Sequence, residues 1–270
     1  TVLFSNGERF PLLVNVKTGI PDFYSTLWVT VELRNQSAVN TIRNKLGTIQ
    51  WIMNWEKQNN LVISDLIHNK VLLTENQLES LIQHMRINVK KQKNVINTKK
   101  SVLMKGGSQF IDIYSSVSLS HQYNRLTTLS EYILFLSKVI NVSNEYIEKL
   151  TKLIKLIKES RPKNHKTLSI KPESELPDGL LDEFMSIANF SNPNNPFQDI
   201  GIRKRNHLMF ILLKELGIRR GELLSIQIPF IDIGTVKSSI TIRRTHDDKF
   251  DTRKKQAVSK TKERRLPISQ

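Results

Sequence analysis

Cysteine is absent from the 270 residues, which rules out disulfides and thiolate metal sites and fits a reducing compartment. Histidine is scarce, at six, and no two are spaced as HxxxH or HExxH, so no dedicated metal site is expected. There is no GxxxxGK[ST] loop to cradle a nucleotide, and no cofactor of any kind is expected. No apolar run approaches the roughly 20 residues needed to cross a bilayer, so no membrane partner is expected either. The opening TVLFSNGERF lacks a basic n-region and an apolar h-region, so a secretory signal is not expected there. The chain starts on Thr rather than Met and stops abruptly at LPISQ, and both ends are expected to be the edges of a fragment. Acids are the last shortage. Asp and Glu number 25 against 41 Lys and Arg, a formal net charge of +16 with a pI of about 10.0. Such an excess favours a polyanion, whether DNA, RNA or an anionic membrane surface, and by itself says nothing sharper.

What is present is enough apolar sequence, 39%, for two or three compact domains. The expected fold is mainly α with a small antiparallel β part: a helical domain followed by part of an α+β domain. Residues 1–36 are read as an N-terminal arm or small β element. Val2–Leu3–Phe4 and Phe10–Leu12–Leu13 flank Asn6–Gly7, a dipeptide suited to the positive φ angles of a hairpin turn. Pro21 is placed to open a helix after Gly19, though an irregular arm fits that stretch equally well.

Residues 37–160 are expected to form a helical bundle. Val39, Ile42, Leu46, Ile49 and Met53 recur at helical spacing behind Ser37 as an N-cap. Thr74 and Gln77 make a capping box for a second helix, with Leu78, Leu81, Ile82 and Met85 as its stripe. A third helix is expected from Thr128, boxed by Glu131. A fourth runs from Ser143 to about Ser160, with Tyr146, Ile147, Leu150, Ile154 and Ile157 on one face. Trp51 and Trp55 read as core or rim packing rather than base-stacking groups. Between the second and third helices, Arg86, Lys90, Lys91, Lys93, Lys99, Lys100 and Lys105 occur without one acid. A solvated loop or helix face would look the same. The absence of any balancing carboxylate favours a surface that tracks phosphates and releases their counterions.

Residues 161–173, polar, basic and bounded by prolines, read as a linker. In residues 174–270, LPDGLLDEFMSIANF is expected as a helix capped by Asp178, and NPNNPF as a loop. IRKRNHLMFILLKEL reads as a buried helix stopped at Gly217, with a short helix over RRGELLSI, then strands SSITIRR and RRLPIS joined by a long charged connection. The segment GIRRGELLSI has the form G-[apolar]-R-x-x-E-L-[apolar]-x-[apolar]. An Arg and a Glu three apart are ordinarily a surface ion pair. Here the short helix after a glycine stop sets Arg219 at its N-terminal end, where unpaired N–H groups favour an anion, with Glu222 one turn on. A guanidinium so placed can grip a phosphate in bidentate fashion.

In GIRRGELLSI the chain resembles the tyrosine recombinase (phage integrase) family, whose first catalytic Arg sits in a G-[LIM]-R-x-x-E-L stretch. The run NPFQDIGIRKRNHLMFILLKELGIRRGELLSI is similar to integrases of bacterial mobile elements and prophages. SITIRR, HDDKFDTRKK and SKTKERRLPIS follow in the order of the family's lysine-bearing β-hairpin. The resemblance implies Arg219 as first catalytic Arg, Glu222 as its supporting acid and Lys260 as hairpin lysine, with Lys262 as the alternative. It also implies that Arg220, Arg243, Arg244 and Lys262 meet DNA together with the basic run, and that a helical core-binding domain precedes the catalytic one. The implied partner is double-stranded DNA at recombination sites, the implied assembly a tetramer on that DNA, and the implied setting the bacterial cytoplasm at the nucleoid.

The implied reaction is attack of a Tyr hydroxyl on a phosphodiester, giving a 3′-phosphotyrosyl bond that is later reversed on a partner strand. The chain departs from the family after the hairpin: the His/Lys-x-x-Arg box, a later His or Trp, and the tyrosine do not occur. Tyr24, Tyr114, Tyr123, Tyr132 and Tyr146 all precede the linker, so a C-terminally truncated chain that binds DNA without cleaving it is expected. His207 and His246 fall outside the motif positions. Two other classes fit part of the pattern. A non-catalytic basic helical nucleic-acid-binding protein matches the charge but not the ordered pair of motifs. A type IB topoisomerase matches the Arg and Lys chemistry but not the helical front.

Overall fold

The computed structural model describes residues 1–87, 116–140, 142–163, 177–234, 237–259 and 261–268. The chain is mainly helical with a small antiparallel β part, and it divides into two compact units. One comprises Thr1–Val2 and Phe10–His165, the other Leu3–Arg9 and Lys166–Gln270. Among the described residues no helix is long and apolar enough to cross a membrane.

The N-terminal hairpin forms where Asn6–Gly7 places it, between β1 (Val2–Leu3) and β2 (Arg9–Phe10), and Gly7 takes a φ of +92°. Strand pairing stops at Phe10, short of Leu12 and Leu13. Residues 10–36 are not a separate arm. Asp22 caps α1 (Phe23–Trp28) by accepting from the Ser25 N–H at 2.9 Å, and a π-type turn, Val29–Leu33, continues it. Trp28, Val29 and Leu33 from this stretch are part of the helical core.

α2 (Val39–Asn59) starts one residue later than the Ser37 cap predicts. The Ser37 N–H is already committed to closing the preceding turn on the Leu33 carbonyl at 2.9 Å, and Ala38 becomes the cap. Ile42, Leu46, Ile49, Ile52 and Trp55 are its buried stripe, while Val39 and Met53 are only half-buried. Asn60 ends it in the left-handed conformation at φ +51°. A short α3 (Ile63–His68) sends Ile63 and Ile67 into the same core.

α4 (Glu75–Arg86) begins with the full capping box: the Gln77 N–H donates to Thr74 Oγ1 at 3.3 Å, and the Thr74 N–H to Gln77 Oε1 at 2.9 Å. Thr74→Ala is expected to cost the helical unit about 1 kcal/mol, read as a lowered urea midpoint with an unchanged slope.

α5 (Leu119–Val139) corrects the expected start at Thr128. Ser118 is the cap, accepting from the His121 N–H at 3.4 Å, so Thr128 lies inside the helix and is buried. Glu131 pairs with Lys45 at 2.6 Å instead of closing a box. α6 (Asn144–Glu159) follows Ser143 as expected and buries Tyr146, Leu150, Leu153, Ile154 and Ile157, with the Tyr146 hydroxyl donating to the Val71 carbonyl at 2.9 Å.

In the second unit, α7 (Leu180–Ile187) has Gly179 at its cap position with φ +79° and no side-chain cap bond, so Asp178 does not cap it. α8 (Ile200–Leu216) is capped by Asp199, which accepts from the Ile202 N–H at 2.8 Å, and is stopped at Gly217 with φ +57°. Its expected burial is not found: no side chain of α8 is fully buried, and Leu208 is 56% exposed. Apolar residues lie all round this helix, but only Met209, Leu212, Leu213 and Leu216 meet the core.

α9 (Arg220–Leu223) follows Gly217, and a 3₁₀ turn at Ile228–Phe230 leads to β3 (Ile231–Asp232). β4 (Ser238–Ile242) and β5 (Arg264–Ile268) complete an antiparallel sheet in the order β3–β4–β5, with Ile240 opposite Leu266 and Ile242 opposite Arg264. Alternation puts Ile240 and Ile242 on the face that packs with Ile218 and Leu223. Pro267 is tolerated because β5 is an edge strand.

Candidate functional site

The glycine stop and the single-turn α9 place Arg219 at the entry of that helix with its side chain 68% exposed. Three residues on, the Glu222 side chain turns back to the start of the helix and is only 1% exposed. A buried carboxylate is tolerated only if its charge and lone pairs are satisfied. Arg264, at the start of β5, does most of this with a two-pronged grip, 3.0 Å to Oε1 and 2.9 Å to Oε2. The Thr261 hydroxyl donates to Oε1 at 2.5 Å, and the Arg219 N–H to Oε2 at 2.8 Å. The fork of Arg264 and the Thr261 hydroxyl hold the Glu222 carboxyl down to a pKa of about 2, against 4.5 ordinarily.

Glu222 is therefore a tie between α9 and the turn that precedes β5. Ser259, almost fully buried, shares a 2.9 Å hydroxyl contact with Thr261 and accepts from the Thr261 N–H at 3.3 Å. The Val258 carbonyl lies 3.5 Å from where a side chain would begin at Gly221. The Arg219 guanidinium reaches Glu222 only at 3.8 Å, because the oxygens are already engaged, and stays open to solvent. Two guanidiniums thus share one carboxylate, leaving a net positive charge at the surface.

Lys260 lies outside the described residues; its neighbours Ser259 and Thr261 are the ones bound to the Glu222 tie. Lys262 and Arg220 are exposed, and neither has an ion-pair partner among the described residues. Arg243 pairs with Glu263 at 3.2 Å and lies 5.1 Å over the Phe230 ring. Arg244 bonds His246 at 2.9 Å. Ser259, Thr261 and Arg264 stand in the SKTKERRLPIS turn with no role that the sequence assigns them, since no local pattern tells which of neighbouring Arg264 and Arg265 turns inward.

In the helical unit, Lys90, Lys91, Lys93, Lys99, Lys100 and Lys105 lie outside the described residues, and Arg86 closes α4 with a 3.3 Å bond to the Ser160 carbonyl. The described part has a cationic groove of about 520 Å³ between α2 and α5, with Arg43, Lys45, His121 and Arg125 on its walls. Its single acid, Glu131, is neutralised by Lys45. Arg125 is held by the Met85 and Ile87 carbonyls at 2.9 and 3.0 Å and lies 5.1 Å over Trp51, with no carboxylate partner among the described residues. Arg161 likewise lies 4.9 Å over Tyr123. Each of the two rings thus has a guanidinium over one face.

No protein-family model, curated protein or solved structure matches the chain. Among the described residues no cluster of His, Asp and Glu is arranged to hold a metal ion. What the second unit offers is an exposed guanidinium at the start of a short helix that a buried carboxylate ties to a serine–threonine turn. That arrangement is suited to holding a phosphate and stabilising added negative charge on it.

Proposed function

We propose that this chain is the DNA-gripping part and catalytic front of a tyrosine-recombinase-type enzyme, which cuts and rejoins duplex DNA at specific sites. The observation that carries the reading is the Glu222 tie: it links the RxxE helix to the SKT turn, the two motifs that sequence resemblance pairs in one active site. The net charge of +16 and the cationic groove of the helical unit support a DNA partner.

In the intact reaction a tyrosine oxygen bonds to the scissile phosphorus while the bond to the 5′-oxygen breaks. Arg219 neutralises the charge that builds on the phosphorane, and Lys260 delivers a proton to the departing 5′-oxygen. The bond energy is stored in the phosphotyrosyl link, and reversal on a partner strand releases it. None of the five tyrosines lies in the unit that holds Arg219, so this chain alone binds without cutting.

Fluorescence anisotropy with a labelled 30-base-pair duplex across a salt series tests this. The chain is expected to bind with a steep salt dependence, and Arg219→Ala to reduce the slope of log K against log salt by about one. A slope unmoved by Arg219→Ala would leave a plain basic nucleic-acid binder as the better reading. A DNA-linked band on a denaturing gel would refute the missing nucleophile.

A further inference from the structure

The connection between β4 and β5, residues 243–263, has no helix or strand among its described residues. So long a segment holds one conformation only if something outside it fixes its backbone. That fixture is the N-terminal hairpin. Arg9 is 2% exposed, and its guanidinium donates to the Arg253 carbonyl at 3.0 Å, to Gln256 Oε1 at 3.0 Å, to the Gly7 carbonyl at 2.7 Å and to the Asp251 carbonyl. The hairpin tip lies equally close: a side chain at Gly7 would begin 2.2 Å from the Asp247 carbonyl oxygen and 2.6 Å from the Lys249 nitrogen.

The connection is tied in turn to the segment after α9. Gln227 donates to Asp248 at 2.5 Å, and Arg253 to the Leu224 carbonyl at 3.1 Å. Two residues past Gln256 comes the Val258 carbonyl beside Gly221, then Ser259 and Thr261 at Glu222.

We propose that Arg9 is a positioning residue for the phosphate site: the N-terminal hairpin fixes the β4–β5 connection, and through it the turn that clasps Glu222. The geometric claim is independent of what the site binds; its consequence for DNA rests on the reading given above.

The test is a ¹³C titration of the Glu222 carboxyl in the full chain without DNA. In Arg9→Ala the midpoint is expected to rise from about 2 towards 4.5, as Thr261 leaves the carboxylate. Millimolar ethylguanidinium, which refills the vacated guanidinium place, is expected to bring it back down. Gln256→Glu, which keeps an acceptor for Arg9 and the Asp248 N–H and gives up the bond to the Thr245 carbonyl, is expected to hold the parent midpoint, and Gln256→Ala, which loses all three, to raise it; the pair serves where Arg9→Ala fails to fold. A folded variant with the parent midpoint overturns the proposal, and so does a raised midpoint that ethylguanidinium does not restore. In DNA binding, Arg9→Ala is expected to lose the same unit of salt slope as Arg219→Ala, and the double variant no more than either. A rescued Glu222 midpoint with unchanged DNA binding keeps the positioning role and sinks the DNA reading instead.

Discussion

Glu222→Ala is expected to lower the stability of the second unit by about 2–3 kcal/mol, because it takes the one buried acceptor away from the partly exposed Arg264 fork and from the Thr261 hydroxyl. The loss is large for a unit whose buried sheet-and-helix cluster, among the described residues, is Ile218, Leu223, Ile240 and Ile242. The same group sets an acid limit. A folded carboxyl titrating near 2 and an unfolded one near 4.5 bind protons differently only between those values. The contribution is complete above pH 4.5, shrinks as the pH falls through that window, and is gone below pH 2. Chemical denaturation at stepped pH should show the parent losing about 3 kcal/mol more across the window than Glu222→Gln, whose remaining loss comes from other carboxylates such as Asp251, held low by Arg253. A parent that falls no further than the variant would remove Glu222 from its place as the tie.

In the other unit the largest expected loss is at Trp28. Its side chain is fully buried, with Tyr132 at 5.3 Å and Phe135 at 6.1 Å between ring centres and the Lys45 ammonium 5.3 Å over its own ring. The indole N–H donates to Glu32 at 3.0 Å. Trp28→Ala removes the largest volume in this corner of the core and leaves Glu32 without that donor, at a cost of about 3–5 kcal/mol. Urea unfolding by circular dichroism is the check, and a loss under about 1 kcal/mol would mean that residues 10–36 contribute little to the unit.

That expectation also marks where the sequence was hard to read. Features that live within one turn of chain were legible: the Thr74–Gln77 box, the Gly217 stop, the Asn6–Gly7 bend, and the alternation that puts Ile240 and Ile242 on one face of β4. Thr128–Glu131 has the same composition as a true cap, yet Ser118 upstream starts the helix first, and Glu131 finds Lys45 on another element. The stretch around Trp28 reads equally as a helix opened by Pro21 and as an irregular arm, because its short helix and π-type turn break the 3.6-residue rhythm. In the candidate site, Arg219 and Glu222 were visible as a motif, but their partners were not. Arg264 is 42 residues from Glu222, and Arg9 is 244 residues from Arg253, so both pairings exist only once the chain has folded.

All three tryptophans, Trp28, Trp51 and Trp55, lie in the helical unit, and residues 177–270 contain none. Indole emission therefore follows one half of the molecule while the other half is optically silent. Trp51, with the Arg125 guanidinium 5.1 Å and the His84 ring 4.8 Å from its ring centre, is placed to change brightness when an anion draws that guanidinium aside. The protein carries its own gauge for events in the α2–α5 groove, with no added dye.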